Sequence, residues 1–224
     1  GTFTLVKKNS DRTANLEGAK YRLWNDKYDK EFTTDKYGKI YVTGLELGTY
    51  NLKETQAPNG YLIDTITYSF QLKYKDQNTS IIYSNAERTN NEPTGTISII
   101  KKDTETGSTA QGDATLENAV YNIYANEDIY NVAKTKKYYS KGDLVASRAT
   151  NAKGETEDVT ELPLGKYIVK EEQAPTGYMI DTNEYEVNLT YKDQNTKVIT
   201  ESVTSTDKVK KMQVHIYKTG IKEN

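Results

Sequence analysis

Three lysines fall where the strand pattern calls for an apolar residue. Phe3 and Leu5 mark one face of the opening stretch, and Lys7 lands on it; Ile97 and Ile99 lead likewise to Lys101, and Val214 and Ile216 to Lys218. Strand side chains alternate between faces, so each lysine should point inward with its apolar predecessors. An inward ammonium costs several kcal/mol unless it is paired or neutralised. A carboxylate also recurs, Glu54 two residues after Leu52 and Glu171 two after Val169, on the face those residues bury. A third polar position is occupied by Asn90 and Asp207, each fourteen residues after the Asp of a D-Q-N-T phrase and eleven before the next lysine.

Amine, acid and amide gathered in an apolar interior form a self-acylating set. Burial raises the pKa of Glu and lowers that of Lys, so both can sit neutral with a proton shared between them. A neutral amine is a nucleophile, and a protonated Glu can polarise a side-chain carbonyl and carry protons. Fixed juxtaposition removes up to ~7–11 kcal/mol of barrier. The product is an isopeptide bond from Lys to Asn with loss of ammonia, or from Lys to Asp with loss of water. The bland alternative makes Lys7 and Lys101 solvated edge-strand lysines that block aggregation, and Glu54 an ordinary surface glutamate.

The elements that must position these groups are written twice. Y-N-L-K-E-T-Q-A-P-N-G-Y-L-I-D-T from Tyr50 returns as Y-I-V-K-E-E-Q-A-P-T-G-Y-M-I-D-T from Tyr167, and both copies run on to Y-K-D-Q-N-T, at Tyr74 and Tyr191. A fixed-offset repeat means two copies of one unit, which points to a spacer or stalk and away from a single active site. Alternating runs are read at 2–6, 20–24, 39–42, 49–53, 67–73 and 80–84, and again at 96–100, 120–124, 166–170, 184–189 and 197–200, separated by Gly, Asn and Pro turn signals. This predicts an all-β chain of two tandem β-sandwiches, 1–92 and 93–210. The second carries an insert near 125–150, either an extra hairpin or a short helix. Residues 211–224 are read as the opening strand of a third unit, or else as a terminal strand of the second. The A-P-x-G-Y turns should plant Tyr61 and Tyr178 beside the glutamates. The short linker 90–95, with one proline, should hold the units in an extended line.

Composition narrows the function. A net charge of −2 gives no electrostatic case for nucleic acid or an anionic membrane. No cysteine is present, so neither disulfides nor thiolate metal sites are available, and a small secreted module needs another staple. No apolar run approaches the ~20 residues of a membrane span and no signal peptide opens the chain, so an exported parent would make this an internal fragment. Nineteen tyrosines with Thr, Val and Ile in short runs agree with strands.

The K-K-N and K-K-D at Lys7 and Lys101, L-E-G-A-K-Y at Leu16, L-E-N-A-V-Y at Leu116 and the E-x-Q-A-P-x-G-Y boxes at Glu54 and Glu171 resemble the collagen-adhesin B-type, or SpaA-like, domains of Gram-positive cell-wall-anchored adhesins and pilins. The resemblance covers essentially the whole chain. It implies a transthyretin-like (prealbumin-like, Ig-like) sandwich on an extracellular, cell-wall-anchored parent. It implies also a Lys–Asn/Asp bond assisted by Glu: Lys7, Glu54 and Asn90 in the first unit, Lys101, Glu171 and Asp207 in the second. The first acceptor has rivals. Asn91 would satisfy the family's N-x-P through Asn91-Glu92-Pro93, and Asn85 is in phase with Ile81 and Tyr83. Neither an L-P-x-T-G sorting signal nor a pilin Y-P-K motif is present.

No cofactor or metal is expected. The D-Q-N-T loops read as polar turns, too short to encircle calcium alone. His215 is given no role, Trp24 is assigned to the core, and the lysine runs at 134–137 and 208–211 to solvated surface. The chain is therefore expected to be no turnover enzyme but a structural module whose partners are neighbouring domains of its own protein. The rival reading is a binding module, whose insert or sheet face engages a host matrix protein or glycan.

Overall fold

Short runs of Tyr, Thr, Val and Ile between glycine and asparagine turns give strands throughout: the computed structural model describes residues 1–220, and no helix occurs among them. The first half holds β1 (Thr2–Asn9), β2 (Lys20–Trp24), β3 (Asp29–Thr33), β4 (Lys39–Val42), β5 (Gly48–Gln56), β6 (Thr67–Leu72) and β7 (Tyr83–Asn90). They form two sheets, β4-β1-β7 and β3-β2-β5-β6. Between the sheets lie Phe3 and Leu5 of β1, Tyr21 and Leu23 of β2, Ile40 and Val42 of β4, and Tyr50 and Leu52 of β5, all buried. The Phe3 and Phe70 rings stack at 4.2 Å.

The second half repeats the plan with β8 (Thr94–Asp103), β9 (Val120–Ala125), β10 (Ile129–Tyr130), β11 (Lys137–Tyr139), β12 (Leu144–Ala149), β13 (Val159–Leu162), β14 (Gly165–Gln173), β15 (Glu184–Leu189) and β16 (Val198–Asp207). Its sheets are β13-β8-β16 and β12-β9-β14-β15. The insert contains strands and no helix. Because β12 pairs with β9 as β3 pairs with β2, the added piece is the β10–β11 hairpin. That hairpin reaches the first sandwich: Thr135 and Thr13 hydroxyls meet at 2.6 Å, and the Val132 amide donates to Glu92 Oε1 at 2.9 Å.

First and last strands of each unit run side by side and parallel. Thr2 faces Tyr83 and Asn9 faces Asn90 in β1–β7; Thr94 faces Val198 and Asp103 faces Asp207 in β8–β16. A parallel first–last pair means that the chain enters each sandwich at one pole and leaves at the other. Residues 211–220 join no sheet and are exposed, with Met212, Val214, Ile216 and Tyr217 all more than three-quarters open to solvent. Residues 221–224, the end of the stretch read as a third unit, lie outside the described residues.

Candidate functional site

Alternation along β1 and β8 carries the two lysines inward. Lys7 and Lys101 are 0% exposed and rank among the largest fully buried side chains. A glycine turn seats each strand: Lys7 N donates to Gly38 O at 2.8 Å and Lys101 N to Gly154 O at 2.7 Å. Both glycines have positive φ, and a side chain at either would strike the lysine's own carbonyl.

Glu54 on β5 and Glu171 on β14 meet these amines across the sandwich. Lys7 Nζ lies 3.2 Å from Glu54 Oε1, and Lys101 Nζ lies 2.9 Å from Glu171 Oε1. The second oxygen of each carboxyl is held from behind, Glu54 Oε2 by the Asp64 amide and Glu171 Oε2 by the Asp181 amide, both at 2.7 Å.

The last residues of β7 and β16 complete the sites. Asn90 is buried, and its Nδ2 donates to Glu54 Oε2 and to Leu62 O, each at 2.8 Å. The Leu62 carbonyl can only accept, so it fixes which end of the amide faces the glutamate. Asn90 Oδ1 is buried without a donor among the described residues. Asp207 is buried with Oδ1 against Lys101 Nζ. The rival acceptors of the first unit stand elsewhere: Asn91 and Asn85 are both exposed.

The two sites differ in charge. In the first, burial pushes the Lys7 ammonium below the ordinary lysine value, against the pull of Glu54 beside it. Burial likewise raises the Glu54 carboxyl, against the pull of Lys7. Both shifts favour the neutral amine–acid pair. The second site holds one amine and two carboxyls, an excess of negative charge unless one is protonated. Asp207 answers this: burial, with Glu171 nearby, pushes its carboxyl up to about 6, although Lys101 opposes the shift.

Two tyrosines at the sites escaped the sequence reading. Lys7 Nζ donates to Tyr21 Oη at 2.8 Å and lies 5.3 Å from the ring centroid; Lys101 Nζ lies 5.7 Å from the Tyr121 ring. The signal was available, since a Tyr closes the L-E-x-A-x-Y phrase in both copies. Ser205, 3.5 Å from Lys101 Nζ, belongs to the second site alone. Tyr178 does not pair with Glu171: its hydroxyl donates to Asp103 at 2.7 Å. Tyr61 is buried with its hydroxyl unpartnered among the described residues. Trp24 is half-buried, with Arg22 over its ring, and His215 is exposed. Within the D-Q-N-T loops Asp76 and Asp193 accept from their own loop amides, Asn78 and Asn195.

The family model for the SpaA prealbumin-like fold domain matches residues 1–87 and again 95–206. The chain belongs to this family. Among solved structures it is similar to the TIE protein of Bacillus anthracis, at 26% identity over 93% of this chain and 34% of that one, with a TM-score of 0.66. It is similar also to a streptococcal ancillary pilin, at 22% identity over 93% of this chain and 62% of that one, TM-score 0.37. The shaft pilin SpaA of Lactobacillus rhamnosus GG shares 14% identity over 95% and 99% of the two chains, TM-score 0.37. The chain spans about a third of the TIE protein's length and under two-thirds of the ancillary pilin's. No curated protein matches it in sequence. The two SpaA domains share seven corresponding strands, and the β10–β11 hairpin is private to the second.

Proposed function

We propose that this chain is a load-bearing stalk module of a Gram-positive cell-wall-anchored surface protein or pilus, each SpaA domain being closed by an isopeptide bond that it forms on itself. The bonds join Lys7 to Asn90 and Lys101 to Asp207, with Glu54 and Glu171 as proton carriers. The observation that carries this reading is the way one carboxyl spans both reacting nitrogens: Glu54 Oε1 lies 3.2 Å from Lys7 Nζ, and Oε2 lies 2.8 Å from Asn90 Nδ2.

The neutral Lys7 amine attacks Asn90 Cγ, and the carbonyl electrons move to Oδ1. Glu54 takes a proton from the attacking nitrogen at one oxygen and supplies one to Nδ2 at the other. The Cγ–Nδ2 bond then breaks, the carbonyl reforms and ammonia leaves. In the second domain the acceptor is the protonated Asp207 carboxyl, the C–OH bond breaks, and water leaves. Each site reacts once and regenerates only its glutamic acid, so the chemistry is not that of a turnover enzyme. It also needs no cofactor. The partners proposed are the neighbouring domains of the same extracellular protein. Of the two surfaces on which a host-protein or glycan binding role would rest, the insert and a sheet face, the insert's hairpin is engaged with the first domain through Thr135 and Val132.

Pulling the two ends of a single molecule apart tests this function. Each bond would divert force from the first strand directly to the last and hide the loop between them. The chain should therefore extend little at forces that unfold ordinary sandwiches. Glu54→Ala should release roughly 280 Å of hidden chain and Glu171→Ala roughly 360 Å. Release of both lengths from the unsubstituted chain would refute the load-bearing role.

A further inference from the structure

The two phrases repeated most faithfully, Q-A-P-x-G-Y and Y-K-D-Q-N-T, meet each other at the joint between the domains. The D-Q-N-T loop of the second domain sits on the Q-A-P box of the first. Gln194 holds it from two sides: its side-chain Oε1 accepts from the Ala57 amide at 2.9 Å, and its main-chain carbonyl accepts from the Ile63 amide at 2.9 Å. Tyr191, which opens the phrase, donates its hydroxyl to Tyr61 O at 3.3 Å. Val132 of the hairpin closes over Gly60, where a side chain would clash.

One copy of each half remains unused. On the first domain, Gln77 is exposed and Tyr74 is 68% open, whereas their counterparts Gln194 and Tyr191 are half-buried. On the second domain the turn of the box is covered from its own domain, Ala114 lying against Gly177 and Thr115 N donating to Thr176 O at 3.1 Å, but the two flanks equivalent to those that Gln194 satisfies are open. Met179 and Ile180 are 52% and 48% exposed, while Leu62 and Ile63 in the engaged box are half-buried. The Ala174 and Ile180 amides, equivalent to the two that Gln194 satisfies, have no hydrogen-bond partner among the described residues. The chain passes the box at Val209 and Lys210, whose amide donates to Gly177 O at 2.8 Å, and in the exposed stretch that follows Val214 and Ile216 repeat the phase of Phe3 and Leu5 and of Ile97 and Ile99.

We infer that box and loop are the two halves of a repeating joint, and that the free box at Ala174–Ile180 receives the D-Q-N-T loop of a further SpaA module joined in tandem. The recognition is neutral and main-chain directed: one glutamine supplies two carbonyl oxygens to two amides on either side of the A-P-x-G-Y turn. The contact is heterologous, each module offering its box at the exit pole and its loop at the entry pole, so it repeats without closing. It does not depend on the cross-links, which lie inside the sandwiches.

Amide hydrogen exchange tests this on the full chain and on the same chain extended in register, with a second copy of residues 96–207 following Met212. In the chain itself, Ala57 and Ile63 should exchange about ten-fold more slowly than Ala174 and Ile180, and Gln194→Ala, which keeps the main-chain carbonyl but removes the side-chain acceptor, should abolish the difference at Ala57. In the extended chain Ala174 and Ile180 should slow to match. The Gln194→Ala change made only in the added copy should release Ala174 again. Two results would overturn the inference: Ala57 unaffected by Gln194→Ala, or Ala174 and Ile180 still open beside an added copy whose own core amides are protected. Intact mass reports the cross-links separately, so either failure is distinguishable from failure of the bond chemistry.

Discussion

A lysine nitrogen with no surface open to water is held in place only by its partners: Glu54, Tyr21 and the Thr89 carbonyl around Lys7, and Glu171, Asp207 and Ser205 around Lys101. The second site gives a pH signature because Asp207 is the third ionisable group there. Lys101→Met removes the nucleophile and the one cation that lowers the Asp207 pKa, leaving burial and Glu171 to hold the carboxyl at or above about 6. A carboxyl raised in the folded state stabilises fully below its ordinary value, near 4, and that contribution is lost as pH rises through the folded value. Thermal unfolding of Lys101→Met should therefore show the second domain more stable at pH 5 than at pH 8, by roughly 1–3 kcal/mol. The unsubstituted chain, whose Asp207 would be consumed in the bond, should lack that step. Equal stability at both pH values would count against a buried Asp207 acid. Lys7, Glu54 and their repeats were legible from phase alone, because two apolar residues ahead of each lysine fixed its face. At the third position of the first domain spacing favoured Asn90 but left Asn85 and Asn91 as rivals, since all three are alike in type. Only the end of β7, which buries Asn90 and leaves the other two outside, separates them.

At the scale of strands, the proposed reaction requires β1 and β8 to be held firmly in register. Gly38 has φ +70°, and a Cβ there would sit 2.6 Å from Lys7 O. Gly38→Ala should cost the first domain about 1–3 kcal/mol and displace Lys7 along its strand. Differential scanning calorimetry should show the lowered transition, and freshly purified protein should retain a fraction that has not lost ammonia. A variant as stable as the parent and fully reacted would show that this turn does not seat the lysine. The strands with clean alternation were readable from sequence. β3, with D-K-E-F-T, was not, because an exposed edge strand carries little apolar signal, and the short β13 was not, because its two buried residues, Val159 and Leu162, stand three apart across a register shift and break the alternation. β7 and β16 run further than their sequence suggests. Their polar ends, such as A-E-R-T-N, are ordered by parallel pairing with the first strand, a contact more than eighty residues away that no local pattern encodes.

For the whole molecule, the parallel pairing of first and last strands decides what a bond would achieve. Entry and exit lie at opposite poles, so tension shears β1 against β7 and β8 against β16. Hydrogen bonds alone resist that shear until they rupture, whereas a Lys–Asn or Lys–Asp bond near the exit pole would carry it covalently. A chain without cysteine would gain in this way what a disulfide gives small secreted domains. The tandem plan was legible from the repeat; the joint was not, because Q-A-P-x-G-Y and Y-K-D-Q-N-T lie twelve residues apart within each copy yet meet across domains. The central claim is tested most directly by the intact mass of the denatured chain. It should fall short of the sequence mass by one ammonia and one water, with Glu54→Ala restoring the ammonia and Glu171→Ala the water. The full sequence mass in the unsubstituted chain would contradict it.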